Sequence, residues 1–154
     1  MGGPTFLTLS QVNRLHARAL AEHGGQEGVR EPGLMDSALA SAKNTFWYAR
    51  GDLFDIAAAY AFHLAESQAF VDGNKRVAAA AALVFLEING ARLLSAPDAL
   101  ERAMIQIALR RLDKQGLAVL LHSEYVDSCD RLGIQARHRR KFPLGGVGGV
   151  GPHY

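Results

Sequence analysis

A chain of 154 residues, 49% hydrophobic and 21% charged, has the make-up of one soluble globular domain long enough to bury a core. Its net charge of +2 conceals a division: residues 1–130 carry twelve Lys and Arg against fifteen Asp and Glu, and the other five cations (Arg131, Arg137, Arg139, Arg140 and Lys141) follow with no acid among them. The main body is therefore mildly acidic, which gives no general case for nucleic-acid binding, and no uninterrupted apolar run approaches the roughly 18 residues of a membrane span.

Met1 to Thr5 show no basic stretch leading into an apolar one, so no secretory signal is expected. The periodicity is then helical throughout. Thr8 with Gln11 three residues on has the form of a capping box. Val12, Leu15, Ala19 and Leu20 continue that first helix along one face, and Gly24-Gly25 ends it. A loop from Gln26 to Gly33 follows, in which Pro32-Gly33 reads as a turn with a positive-φ glycine. Leu34 to Ala42 makes a short second helix, and Asn44 to Arg50, with Phe46, Trp47 and Tyr48, reads as an irregular link whose aromatics plug the edge of a core or stack on a ligand.

Asp52 can cap a third helix, Leu53 to Ser67, and a fourth runs from Asn74 to Asn89. Both are apolar on nearly every side, which marks them as central helices buried by their neighbours. Ser95 or Asp98 caps a fifth, with Leu100, Met104, Ile107 and Leu109 inward and a basic last turn near Arg111 that suits the helix dipole. Gly116 breaks the chain before a sixth, Leu117 to Leu132, in which the single cysteine, Cys129, reads as a small buried hydrophobe and fits a reducing cytoplasm. The expectation is an all-α bundle of about six helices over residues 1–133, with two buried central helices, and a basic, Gly-rich and disordered tail over 134–154. Arg137 to Lys141 in that tail are its only argument for RNA or an acidic partner, and a solvated tail is the plainer reading.

The stretch joining the two central helices, Gln68-Ala69-Phe70-Val71-Asp72-Gly73-Asn74-Lys75-Arg76, carries the chemistry. Gly73 permits a tight turn and close approach by a ligand. Asn74 and Lys75 open a helix, where main-chain N–H groups lack intrahelical partners and the dipole favours an anion. Lys75 and Arg76 place full positive charge where a phosphate would lie. Asp72 offers one hard oxygen ligand, which with phosphate oxygens and water is a usual arrangement for Mg²⁺. An Asp-Gly turn followed by two solvated cations would use the same residues. Placement between two buried helices favours a site, because functional loops sit on rigid scaffolds.

Phe70, Asp72, Gly73, Asn74, Lys75 and Arg76 match a signature that resembles that of the Fic/Doc family, roughly HxFx[DE][AG]N[GK]R, and Lys75 places the chain with its Doc, or death-on-curing, branch. The likeness extends over most of residues 7–130, including His23-Gly24-Gly25, Gly28 to Leu34 and Ala80 to Gly90. It implies a toxin of a toxin–antitoxin pair. Fic enzymes move AMP from ATP to hydroxyls, whereas Doc proteins move phosphate to elongation factor Tu and are held inactive by a Phd-type antitoxin folded into a groove. By position, Asp72 would hold Mg²⁺, Gly73, Asn74, Lys75 and Arg76 would hold the phosphates of ATP, and Phe70 would be a packing residue that orients the loop.

One position departs. The family's general-base histidine falls at Gln68, and an amide takes no proton near neutral pH. Losing a general base costs about 10²–10⁴ in rate but leaves positioning and electrostatic stabilisation in place. Ala69 and Val77 also differ from the usual proline and threonine. His63 lies more than a turn before Gln68 and on another side of the helix, so a polar contact suits it better than a catalytic role. Arg30 either reaches a phosphate or pins its loop by a salt bridge. The chain is thus expected to be a transferase impaired at Gln68, or a binding module that engages nucleotide or antitoxin without chemistry.

Overall fold

The computed structural model describes residues 3–94 and 96–141, without the side chains of residues 96–98. Six helices follow in order: α1 (Leu9–His23), α2 (Pro32–Trp47), α3 (Leu53–Ser67), α4 (Asn74–Ile88), α5 (Ala96–Ala108) and α6 (Lys114–Leu132). No strand forms among the described residues, and the one β-type pairing is an isolated antiparallel bridge between Val29 and Phe70.

α3 is the hub. It packs on α2, α4 and α6 and touches α5, while α1 and α5 cover α4. Phe54, Ile56, Tyr60 and Leu64 of α3 and Val77, Phe85 and Leu86 of α4 are buried. So are Ala57, Ala58, Ala59 and Ala61 of α3 and Ala78, Ala79, Ala81 and Ala82 of α4, small side chains that let helix backbones approach closely. The Tyr60 hydroxyl accepts a hydrogen bond from the Leu7 N–H, and burial pushes its pKa up to about 12.

The caps explain most of the boundaries. Thr8 and Gln11 form the expected reciprocal capping box on α1. On α3 the Asp52 carboxylate accepts from the Phe54 and Asp55 N–H groups, and Asp55 accepts from Asp52 in return. Two helices begin earlier than the sequence reading has them. Pro32 is the first residue of α2, where its fixed φ suits the helix and its missing N–H costs nothing, so Pro32-Gly33 is a helix start instead of a turn. Gly116 lies inside the first turn of α6, its N–H donating to the Asp113 cap, so it does not break the chain.

Three more expectations are corrected. α2 continues through Phe46 and Trp47, so the aromatic stretch is helical. Only Phe46 turns inward, edge-on to Phe6, while Trp47 and Tyr48 are exposed. α5 stops at Ala108 with no basic residue in its last turn, leaving Leu109 exposed beyond it; of its two expected caps, Asp98 falls inside the helix and Ser95 lies outside the described residues. The segment after Gly133 is not simply solvated. The Tyr125 hydroxyl accepts from the N–H groups of Arg137 and His138, and Arg140, distant in sequence but adjacent in space, meets Asp52 and Asp55 at the start of α3. The rest of the expected tail, residues 142–154, lies outside the described residues. Cys129 is buried, as expected.

Candidate functional site

α3 ends at Gln68, whose left-handed backbone (φ 50°, ψ 45°) turns the chain out of the helix. That conformation costs a non-glycine residue about 1–2 kcal/mol. Burial of Ala69 and Phe70 immediately afterwards offsets it and keeps the exposed Gln68 side chain at the lip of a cleft.

Three braces hold the loop that follows. The Asn74 carboxamide accepts from the Phe70 N–H at 3.0 Å and donates to the Phe70 carbonyl at 2.9 Å, closing the turn from within. The preceding loop pairs with it: the Arg30 N–H donates to the Ala69 carbonyl at 2.6 Å and the Val71 N–H to the Gly28 carbonyl at 3.0 Å. From α1, the His16 ring stacks on Phe70 at 3.8 Å between centroids, and His16 Nε2 lies 2.8 Å from the Asp72 carbonyl oxygen. Gly25 is needed for this fit, since at φ 122° a Cβ there would sit 3.0 Å from Asp72 Oδ2 and 2.9 Å from a Leu20 methyl.

A cleft of about 440 Å³ opens over the loop. Gln68, Asp72, Gly73, Asn74, Lys75 and Arg76 line one side, and Glu101, Met104 and Ile105 of α5 line the other. Lys75 and Arg76 are exposed on the first turn of α4, and no ion pair or hydrogen bond engages their side chains among the described residues. Gly73, at φ 83°, is the N-cap of α4 and supplies no capping side chain, so the first N–H groups of the helix stay available to a ligand. The Asp72 carboxylate accepts from the Gln26 N–H at 3.2 Å and the Gly73 N–H at 3.0 Å and remains exposed at the cleft.

Every residue singled out in the motif is thus brought together, with two refinements. The Asn74 side chain is committed to Phe70, so only its main chain can face an anion. Phe70 is buried and stacks against His16, a residue the motif itself does not contain. His16 carries one legible signal: at i+4 from Val12 it falls on the inward face of the first helix. The facing wall on α5 had none, because Glu101, Met104 and Ile105 lie about thirty residues away in sequence.

The remaining candidates separate from the cleft. His63 pairs with Lys114, Nε2 to Nζ 3.0 Å, and burial together with that ammonium holds its pKa below the ordinary 6.5. Arg30 pins its loop through the main chain, and among the described residues its side chain forms no salt bridge. A second groove of about 380 Å³, with Leu15, Ala19, Leu83 and Val84 among its walls, runs between α1 and α4 and shares Arg76 and Glu101 with the cleft.

The Fic/DOC family model matches residues 6–86, from the approach to α1 through nearly all of α4, and the chain belongs to that family. It is similar to Toxin Doc of Mycolicibacterium smegmatis, 42% identical over 104 residues that cover 64% of this chain and 78% of the relative. It is also similar to Protein kinase doc of Escherichia phage P1, 32% identical over 85 residues, 54% of this chain and 68% of the relative.

Proposed function

We propose that this chain is a Doc-type toxin whose cleft binds ATP with Mg²⁺ and directs phosphate to a hydroxyl of a translation factor, elongation factor Tu, with turnover impaired at Gln68. The observation that carries this reading is the convergence on one cleft of two cations, an open helix start and a carboxylate, with Gln68 at its lip.

Each residue has a distinct part. The N–H groups at the start of α4 and the Lys75 and Arg76 side chains bind and neutralise phosphate oxygens. The donor set fits Mg²⁺, since Asp72 offers an exposed carboxylate and phosphate oxygens and water complete an oxygen shell. Mg²⁺ held there would neutralise charge on the phosphates. The target hydroxyl oxygen bonds to the γ-phosphorus as the bond to ADP breaks, and its proton needs an acceptor. Gln68 stands where that acceptor belongs, and its amide can orient the hydroxyl but not take the proton.

The groove beside Arg76 suits the apolar face of an antitoxin segment of Phd type, and a partner seated there would adjoin the phosphate cleft. A cytoplasmic site of action follows from such a target. Arg140 is bound by Asp52 and Asp55, which weakens the case for nucleic-acid binding through the basic cluster.

The deciding measurement uses ATP labelled at the α or the γ phosphate, Mg²⁺ and purified elongation factor Tu, comparing this chain with Gln68→His. Transfer of γ label about 10²–10⁴ times faster by the variant is expected. Equal rates overturn the impairment, and transfer of α label points to AMP. Binding of ATP by both proteins without transfer by either favours the second reading, a module that engages nucleotide or antitoxin without chemistry, for which Gln68 itself is the supporting observation.

A further inference from the structure

We infer that His16 is a positioning residue that sets the orientation of the Asp72–Gly73 peptide, and through it the Gly73 N–H that holds the Asp72 carboxylate at the phosphate cleft. This rests on the reading of that cleft as a nucleotide site.

His16 is a polar side chain that the helix repeat alone would bury for no gain. It is 7% exposed on α1, among Val12 and the partly buried Leu15 and Leu20. Its ring lies nearly parallel to Phe70, with 14° between planes, and its Cδ2 sits 3.5 Å from where a Gly73 Cβ would be. It therefore packs directly beneath the turn from Phe70 to Gly73.

The hydrogen bond fixes the chemistry. A carbonyl oxygen can only accept, so His16 Nε2 must carry the proton that reaches the Asp72 oxygen 2.8 Å away. The Asp72–Gly73 peptide is trans, so its C=O and N–H point in opposite directions. Tying the carbonyl down to α1 turns the Gly73 N–H up, to the side where the Asp72 carboxylate meets it at 3.0 Å and where both residues line the cleft. Gly73 at φ 83° has no Cβ to restrict rotation of this peptide, so an external tether is required to hold one orientation. Asn74 secures Phe70 and the Arg30 loop secures Ala69 and Val71, but neither touches the Asp72 carbonyl. His16 supplies that missing restraint.

Two variants separate packing from orientation. His16→Phe keeps a flat ring against Phe70 and removes the donor. His16→Gln gives up the ring but can place a carboxamide N–H where Nε2 stands. With the nucleotide-free protein, ¹⁵N spectra should show His16 as the Nε2–H tautomer, and His16→Phe should shift the Gly73 amide resonance while His16→Gln restores it. Affinity for Mg²⁺–ATP should fall roughly 10- to 100-fold in His16→Phe, with partial recovery in His16→Gln and the circular-dichroism spectrum of all three proteins alike, as for other residues that orient ligand-binding groups. A Nδ1–H tautomer, or a Gly73 resonance unmoved in His16→Phe, overturns the assignment of His16. Unaltered Mg²⁺–ATP affinity in His16→Phe overturns its effect on the site. Failure of the unaltered chain to bind Mg²⁺–ATP overturns the nucleotide reading instead, while the Gly73 resonance still judges His16. If His16→Phe fails to fold, His16→Gln and the tautomer of the unaltered chain decide.

Discussion

At the N-terminal end of α3, Asp52 and Asp55 cap the helix and meet Arg140, with the Lys141 N–H donating to Asp52 as well. At its C-terminal end, Gln68 hands the chain to a loop where Lys75, Arg76 and the first N–H groups of α4 face a cleft. Both ends belong to one buried helix and both carry several charges within a few residues. At the first end the protein answers its own charges, although the buried Nη1 of Arg140 has no hydrogen-bond partner and its Nε meets Asp52 as an ion pair without a hydrogen bond. At the second, Lys75 and Arg76 lie exposed beside the cleft with no ion pair among the described residues, and the proposed nucleotide would supply the matching charge.

The comparison is broken most severely at the closed end. Arg140→Met would leave Asp52 buried without its ion partner, and denaturant titration should show a loss of about 3 kcal/mol in stability. Ending the chain after residue 133 should lose at least as much, because the contacts to Tyr125 and Asp52 go too. In both cases the folded fraction should still bind Mg²⁺–ATP; loss of binding there would mean that the two ends are coupled.

A smaller effect is expected at the open end. Asp72→Ala should weaken Mg²⁺-dependent ATP binding roughly 10- to 100-fold by calorimetry, with little change in stability because the carboxylate is exposed. Unchanged binding would remove Asp72 from the metal role.

The smallest effect is a pH dependence of the scaffold. His122, beside Phe54 near the closed end, and His63 both have pKa values held below 6.5, chiefly by burial and then by Arg140 and Lys114 respectively. Their neutral forms are favoured on folding, so this contribution is present above pH 6.5 and is lost as pH falls through the lowered values. Stability measured from about pH 7.5 down to pH 5 should decline, and His63→Gln with His122→Gln should flatten the curve.

The parts of this molecule that were legible in sequence are the local ones. The capping box at Thr8, the Asp52 cap, the all-round apolarity of α3 and α4, and the loop between them depend on residues a few positions apart. The misread boundaries at Pro32 and Gly116 share a cause, since residues that break a helix interior are tolerated in its first turn. The helical course through Phe46 and Trp47 was not legible, because three successive aromatics carry no helical period of their own.

By itself the sequence determined an all-α chain of six helices and the motif from Gln68 to Arg76, including the amide where a base is expected, because covalent order alone sets those identities and spacings. Only the tertiary structure decided what surrounds them. Folding brings His16 beneath Asp72, Glu101 and Met104 across from Lys75, and Arg140 onto Asp52, pairs separated by tens of residues. No local pattern encodes such contacts, because they arise from how six helices share one core.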